Sequence, residues 1–285
     1  MDKFSVFFEL CFLRRQLSQR SFSQELFEIK QLPENVLIVA PHSDDEMLGC
    51  GGVMKSHCSD SSFFVYIPAS GTESGQSRLE ESLRAVSGFG PRVSVVSGKF
   101  PDGFLKDNQE ELHEEMISLV SEHNIKTVFA PLFTEFHPDH VSCALSTLRM
   151  LKKNTIDKIY FYTTNHFFSP EIINSFHTFP GSVRDKTEML KDYRSQQKIN
   201  FKKITAMEKI YSESFHLSEF SEFFYHMKKD DSDIEKTMDS CYLFLETDFR
   251  KFGSVSRTLG ILRFFKKCLS VSDSVFSHKT TPDDL

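Results

Sequence analysis

Five short runs of β-branched or aromatic residues punctuate the first 165 residues of the chain: Val36 to Ala40, Phe63 to Ile67, Val93 to Val96, Thr127 to Pro131 and Ile159 to Tyr162. Longer amphipathic stretches separate them, near 47–57, 76–88, 108–123, 141–153 and 183–197. Near-continuous apolar strands alternating with helices are the pattern of a parallel sheet covered on both faces. The pattern predicts an α/β fold, a Rossmann-like, mostly parallel sheet with helices on both faces. In such open sheets, ligands bind outside the carboxyl ends of the strands. No internal repeat or low-complexity tract interrupts the pattern.

The flanks differ from this central region. The start, MDKFSVFFELCFLRRQL, predicts an N-terminal helical segment over 1–34, with Phe4, Phe7, Phe8 and Cys11 on one stripe and Leu10, Leu13 and Leu17 beside it. Glu9 interrupts its apolar stretch and no small-residue cleavage site follows, so it reads poorly as a signal peptide. Arg14 and Arg15 precede polar residues rather than a hydrophobic region, which argues against a twin-arginine signal. No run of about eighteen apolar residues predicts a transmembrane helix. From 216 to 285 a helical C-terminal extension with a frayed tail is expected. Within it, residues 250–272 carry Arg250, Lys251, Arg257, Arg263, Lys266 and Lys267 among apolar residues, with no acidic residue. A basic amphipathic helix of this kind either packs its apolar face on the domain, the preferred reading, or makes peripheral contact with an anionic membrane.

Charge and cysteines narrow the class. Lys+Arg 34 against Asp+Glu 40 gives a formal charge of −6, which argues against a nucleic-acid partner because phosphate neutralisation needs a dominant basic face. Cys11, Cys50, Cys58, Cys143, Cys241 and Cys268 show no CxxC pairing and read as reduced, buried thiols of a cytoplasmic protein.

Chemistry concentrates in two places. The first strand runs into Pro41-His42-Ser43-Asp44-Asp45-Glu46, followed by Gly49, Gly51 and Gly52. The acidic run could cap the next helix, and the glycines do not match a GxGxxG phosphate loop. The fourth strand ends in Glu135-Phe136-His137-Pro138-Asp139-His140. Together the two clusters can supply one His and one Asp from the first and one His from the second. That is the three-ligand set of a catalytic zinc site, leaving a carboxylate and a His for acid–base work.

PHSDDE at 41–46 and HPDH at 137–140 resemble the two signature boxes of the LmbE/PIG-L-like de-N-acetylase family, with Ser43 in place of the usual proline. Weaker matches extend the resemblance over about 35–215: Arg78 and Glu81 in an R-x-x-E helix, Pro101-Asp102-Gly103, and Lys186 with Ser195-Gln196. Glu135 stands where the family more often has aspartate. The resemblance implies that His42, Asp45 and His140 hold one Zn²⁺, other divalent transition metals being admissible, and that Asp44 is the general base. It implies that His137, in its protonated form, faces the developing oxyanion and leaving amine, oriented by Asp139, and that Arg78 and Asp102 contact sugar hydroxyls. Adjacent Asp44 and Asp45 cannot point the same way in a turn, so one can bind metal while its neighbour faces water.

The expected function is therefore a zinc-dependent hydrolase removing N-acetyl from an amino sugar of GlcNAc type, whether free or in a glycoconjugate. The alternatives are an amidase of the same fold acting on another amide, and a non-catalytic binding module. An oligomer is compatible with the sequence. The expected domain limits are 1–34, 35–215 and 216–285.

Overall fold

The computed structural model describes residues 10, 11, 13, 14, 17, 25–135, 137–164, 172–196 and 201–246. Along the chain these form β1 (Phe27–Glu28), β2 (Asn35–Val39), α1 (Asp45–His57), β3 (Ser62–Ile67), α2 (Glu73–Ser87), β4 (Val93–Ser97) and α3 (Gln109–Glu122). They continue with β5 (Thr127–Pro131), α4 (Pro138–Lys152), β6 (Lys158–Tyr162), β7 (Ser175–Thr178), α5 (Val183–Met189), α6 (Phe201–Ser214), β8 (Ser221–Lys228) and α7 (Ile234–Glu246).

All eight strands share one sheet in the order β1-β7-β8-β6-β5-β2-β3-β4. Only β8 runs antiparallel to its neighbours β6 and β7; the other pairings are parallel. The chain moves outward from β2 through β3 to β4, then returns to the opposite side of β2 with β5 and β6. The direction of winding therefore reverses between β2 and β5, and the carboxyl ends of these two strands flank the crevice where such sheets bind ligands.

Four of the five apolar runs are largely buried on both faces, as continuous hydrophobic strands require, whereas the edge strand β4 buries Val93 and leaves Val95 and Val96 half-buried and Ser94 exposed. Along β2, Leu37 and Val39 join the core on the α3/α4 side, while Val36 and Ile38 face α1. All four are fully buried, each contributing about 1.5–3 kcal/mol relative to exposure. α1 lies close to the sheet because it carries glycine: a Cβ on Gly49 would come within 2.2 Å of the Tyr162 ring, whose hydroxyl donates to Val39 O at 2.7 Å.

Several expectations change. The helix expected over 183–197 ends at Met189, passes through a 3-10 turn, and leaves Tyr193 to Gln196 as a strap. Residues 216–246 are not helix alone, since β8 inserts between β6 and β7 before α7 packs on α4. β8 is a buried central strand whose buried Glu222 hides its apolar run. The N-terminal residues are not helix throughout, because Phe27–Glu28 pairs with β7. Leu13 and Leu17 are helical and buried in the core. Of the cysteines, Cys50, Cys143 and Cys241 are buried, Cys58 is partly exposed and Cys11 is exposed; all five are free thiols. The 250–272 segment, Cys268 and the tail lie outside the described residues. Among the described residues, no helix is long and apolar enough to cross a membrane.

Candidate metal and catalytic centre

The turn after β2 and the start of α4 meet at the reversal point. Asp45 opens α1, and its Oδ2 accepts the backbone N–H of His42 at 3.0 Å. The same oxygen lies 3.4 Å from His42 Nδ1 and 3.3 Å from His140 Nε2. Three donor atoms from two strand ends thus converge. Behind them, His42 Nε2 lies 3.1 Å from both Asp139 Oδ2 and Asp102 Oδ1. His140 Nδ1 faces Glu135 Oε2 at 3.9 Å, and Glu135 Oε1 accepts the N–H of Thr164 at 2.8 Å.

His137 completes the group. It caps α4, its Nδ1 accepting the Asp139 N–H at 3.2 Å, so the proton of its neutral ring sits on Nε2. Its ring centroid is 4.7 Å from that of His42 and 5.3 Å from that of His140.

Asp139, expected to orient His137, has its carboxylate on His42. Its carboxylate is fully buried and accepts the N–H groups of Gly103 (2.7 Å) and Leu105 (3.1 Å) as well as facing His42. It contacts His42 through this carboxylate and His137 through its backbone N–H. A protonated His137 is also disfavoured: burial and the neighbouring His140 and His42 push it down to about 4.

Asp44 is the most constrained residue of the turn. Its backbone adopts φ 117°, ψ −30°, a region that costs a non-glycine residue about 1–3 kcal/mol. Its carboxyl is buried, and Oδ2 has no hydrogen-bond partner. Burial, then the charges of Asp45 and Glu46, drive it well above the usual carboxylate range. Asp45 behaves oppositely: burial disfavours its charge, yet His140 and His42 hold it well below the usual range.

These features fit a divalent cation. Two imidazole nitrogens and a carboxylate oxygen face one another, the outer nitrogen of each ring has a carboxylate behind it, and an added cation would oppose the burial and like charges that push the Asp44 carboxyl up. By donor spacing, His42, His137 and His140 also form a group within 4.8 Å, as do His42, Asp102, His137 and Asp139.

Arg78 and Asp102 stand at the rim. Arg78 donates to Asp102 Oδ2 at 2.8 Å, and the Asp102 side chain is 37% exposed. They are joined to each other, and Asp102 reaches His42. Glu135 and Glu46 also line the centre, and Tyr193, which no local motif marks, donates to Glu46 Oε1 at 2.7 Å across 147 positions.

Residues 37–151 match the family model described as PIG-L: GlcNAc-PI de-N-acetylase. Solved structures share the fold. An N,N'-diacetylchitobiose deacetylase from Pyrococcus horikoshii, solved with an inhibitor, superposes with a TM-score of 0.58 at 19% identity, covering 80% of this chain and 94% of that one. A conserved protein from Thermus thermophilus gives 0.55 at 24% identity, covering 66% and 92%. The zinc-inhibited form of a teicoplanin deacetylase gives 0.54 at 15% identity, covering 70% and 100%.

Proposed function

We propose, from the premise that residues 37–151 are a PIG-L-type de-N-acetylase domain, that this hydrolase removes an N-acetyl group from an amino sugar with the help of one zinc ion. The observation that carries the reading is the convergence of His42 Nδ1 and His140 Nε2 on Asp45 Oδ2, beside a buried Asp44 oxygen with no partner. His42, Asp45 and His140 would hold the ion, the His/carboxylate set that suits zinc better than magnesium. When bound, it would supply Lewis acidity to water and to the amide oxygen.

The protein's own groups account for the proton movements. Asp44 accepts a proton from the attacking water. His137, with its proton on Nε2, donates a hydrogen bond to the oxygen that gains charge and stands near the nitrogen that leaves. The proton taken by Asp44 balances the one the leaving amine requires. Water adds to the carbonyl carbon, the C–N bond breaks, and acetate and a free amine result with no covalent enzyme intermediate. Asp139 keeps His42 in one ring orientation, and Arg78 with Asp102 offers rim donors and acceptors to sugar hydroxyls. The similar fold named as an N,N'-diacetylchitobiose deacetylase supports an amino-sugar substrate.

The test is acetate release from a panel of N-acetylated amino sugars, comparing zinc-loaded and chelator-treated protein alongside elemental analysis. About one metal per chain, with activity lost on chelation and restored by Zn²⁺, is the expected result. A metal-free protein that gains no activity with added Zn²⁺ would sink the reading.

A further inference from the structure

The φ angle of Asp44 is the rotation about its N–Cα bond, so it depends on how the Ser43–Asp44 peptide is held. The strap that follows α5 holds one polar end of that peptide directly and the other through Glu46 of α1. Gln196 Nε2 donates to Ser43 O at 3.5 Å. At the other end, the Asp44 N–H donates to Glu46 Oε2 at 3.0 Å, and the second oxygen of Glu46 accepts the Tyr193 hydroxyl at 2.7 Å. Glu46 is fully buried and Tyr193 is 2% exposed. Ser195 anchors the strap itself, donating to Glu81 of α2 through its N–H at 2.9 Å and its hydroxyl at 2.6 Å.

We infer that Tyr193, acting through the Glu46 carboxylate, is a positioning residue for Asp44, holding the backbone in the conformation that leaves its Oδ2 free for the reacting water. The inference rests on the reading of Asp44 as the proton acceptor. Neither Glu46 nor Tyr193 is among the groups that would touch metal or substrate, so the reaction as derived gives them no other task. A neutral phenol spent on a buried carboxylate, which in turn grips one backbone N–H at a strained residue, is how an active-site conformation is over-determined by its surroundings. Misplacing a reacting group by a fraction of an ångström is enough to matter for rate.

The experiment is a double-mutant cycle in the zinc-loaded full chain. Tyr193→Phe should lower kcat by about tenfold or more, with KM and zinc affinity, read by chelator competition, unchanged. In an Asp44→Asn background the same change should cost less than about twofold, since the two act as a unit. An equal loss in both backgrounds, or no loss in the parent, overturns the inference. Glu46→Gln gives a second arm: its amide oxygen can accept the Asp44 N–H while its NH₂ donates to the Tyr193 oxygen, so it should retain far more activity than Glu46→Leu. Equal loss in those two variants overturns it as well. A crystal structure of Tyr193→Phe supplies a readout that needs no turnover. There Asp44 should leave its positive φ; a φ still near 117° would sink the inference, whether or not the parent protein releases acetate from any amide tested. A parent protein that releases none, with Asp44 relaxed in the variant, would instead count against the functional reading alone.

Discussion

Two buried charge clusters flank α1, and they are built on opposite principles. At the middle of the helix, Lys186 is fully buried and donates to Glu208 Oε1 at 2.5 Å and Glu222 Oε1 at 2.8 Å. Glu222 also accepts the N–H groups of Gly52 (2.8 Å) and Val53 (3.1 Å). A Cβ on Gly52 would come within 3.0 Å of that carboxylate, so glycine admits it to the helix backbone. At the start of the helix, Asp44, Asp45 and Glu46 are buried side by side, and one Asp44 oxygen is left without a partner. In the first cluster Lys186 meets both carboxylates and backbone donors hold Glu222, although Glu208 Oε2 has no hydrogen-bond partner. In the second, three adjacent carboxyls are crowded: histidines meet Asp45 and Tyr193 meets Glu46, while one Asp44 oxygen stays unpartnered. The first arrangement is what a buried ion pair requires to persist; the second costs stability and is found where a group must react.

The largest expected effect separates the two neighbouring aspartates. Asp44→Asn should keep its metal yet lose roughly two to four orders of magnitude in kcat, the usual worth of a positioned base. Asp45→Asn should bind metal less tightly and regain part of its activity in excess Zn²⁺. A metal titration of both variants decides it. Metal loss in Asp44→Asn with retention in Asp45→Asn would reverse the roles. Metal retention in Asp45→Asn with loss in His137→Ala would instead make His137 the third ligand, an arrangement its spacing to His42 and His140 also permits.

The structural cluster should respond in stability rather than in chemistry. Lys186→Met leaves Glu208 and Glu222 facing each other without their cation, and removing one partner of a buried pair costs about 3–5 kcal/mol. Thermal denaturation should show a large fall in Tm. Asp44→Asn, which relieves repulsion from Asp45 and Glu46, should leave Tm unchanged or higher. Equal destabilisation by the two substitutions would erase the contrast between the clusters.

Acidity offers a milder test of the same region. Burial, opposed by Lys186 and reinforced by Glu222, pushes Glu208 from 4.5 up to about 7. A carboxyl whose folded value lies above its unfolded one binds more protons in the folded state, so its contribution to stability falls as pH rises. That contribution is fully present below about 4.5 and lost as pH passes through about 7. Glu208→Gln should flatten the decline of stability between those values in denaturant titrations run at several pH values. An unchanged slope would assign the decline to other groups.

Much of this was readable along the chain, for reasons that particular elements show. β2, β3, β5 and β6 declare themselves as apolar runs because both of their faces are largely buried, and the two site boxes are local, each close to a strand end. What was hidden depends on distance. β8 does not read as a buried strand because Glu222 interrupts it, and Glu222 is tolerable there only because Lys186 arrives from 36 positions away. The resemblance implies Asp139 as a partner for His137. The fold instead sends its carboxylate to His42 across 97 positions, where the Gly103 and Leu105 N–H groups hold it.

The smallest expected effect lies at the rim, where the two roles of a charge can still be told apart. Arg78 is joined to Asp102 Oδ2, and Asp102 Oδ1 in turn lies on His42 Nε2. If the pair serves the sugar, Arg78→Gln should raise KM severalfold, about 1 kcal/mol of lost binding by the arithmetic of affinity, with kcat and zinc affinity nearly unchanged. Asp102→Asn should differ in kind. It touches the rim and also weakens one of the two carboxylate contacts on His42, so a modest fall in zinc affinity should accompany its rise in KM. Asp139, fully buried on the same nitrogen, keeps that fall small. Steady-state kinetics paired with chelator competition separates the two variants. A kcat loss in Arg78→Gln with KM unmoved would take Arg78 out of the substrate rim and make it a support for the His42 side of the centre.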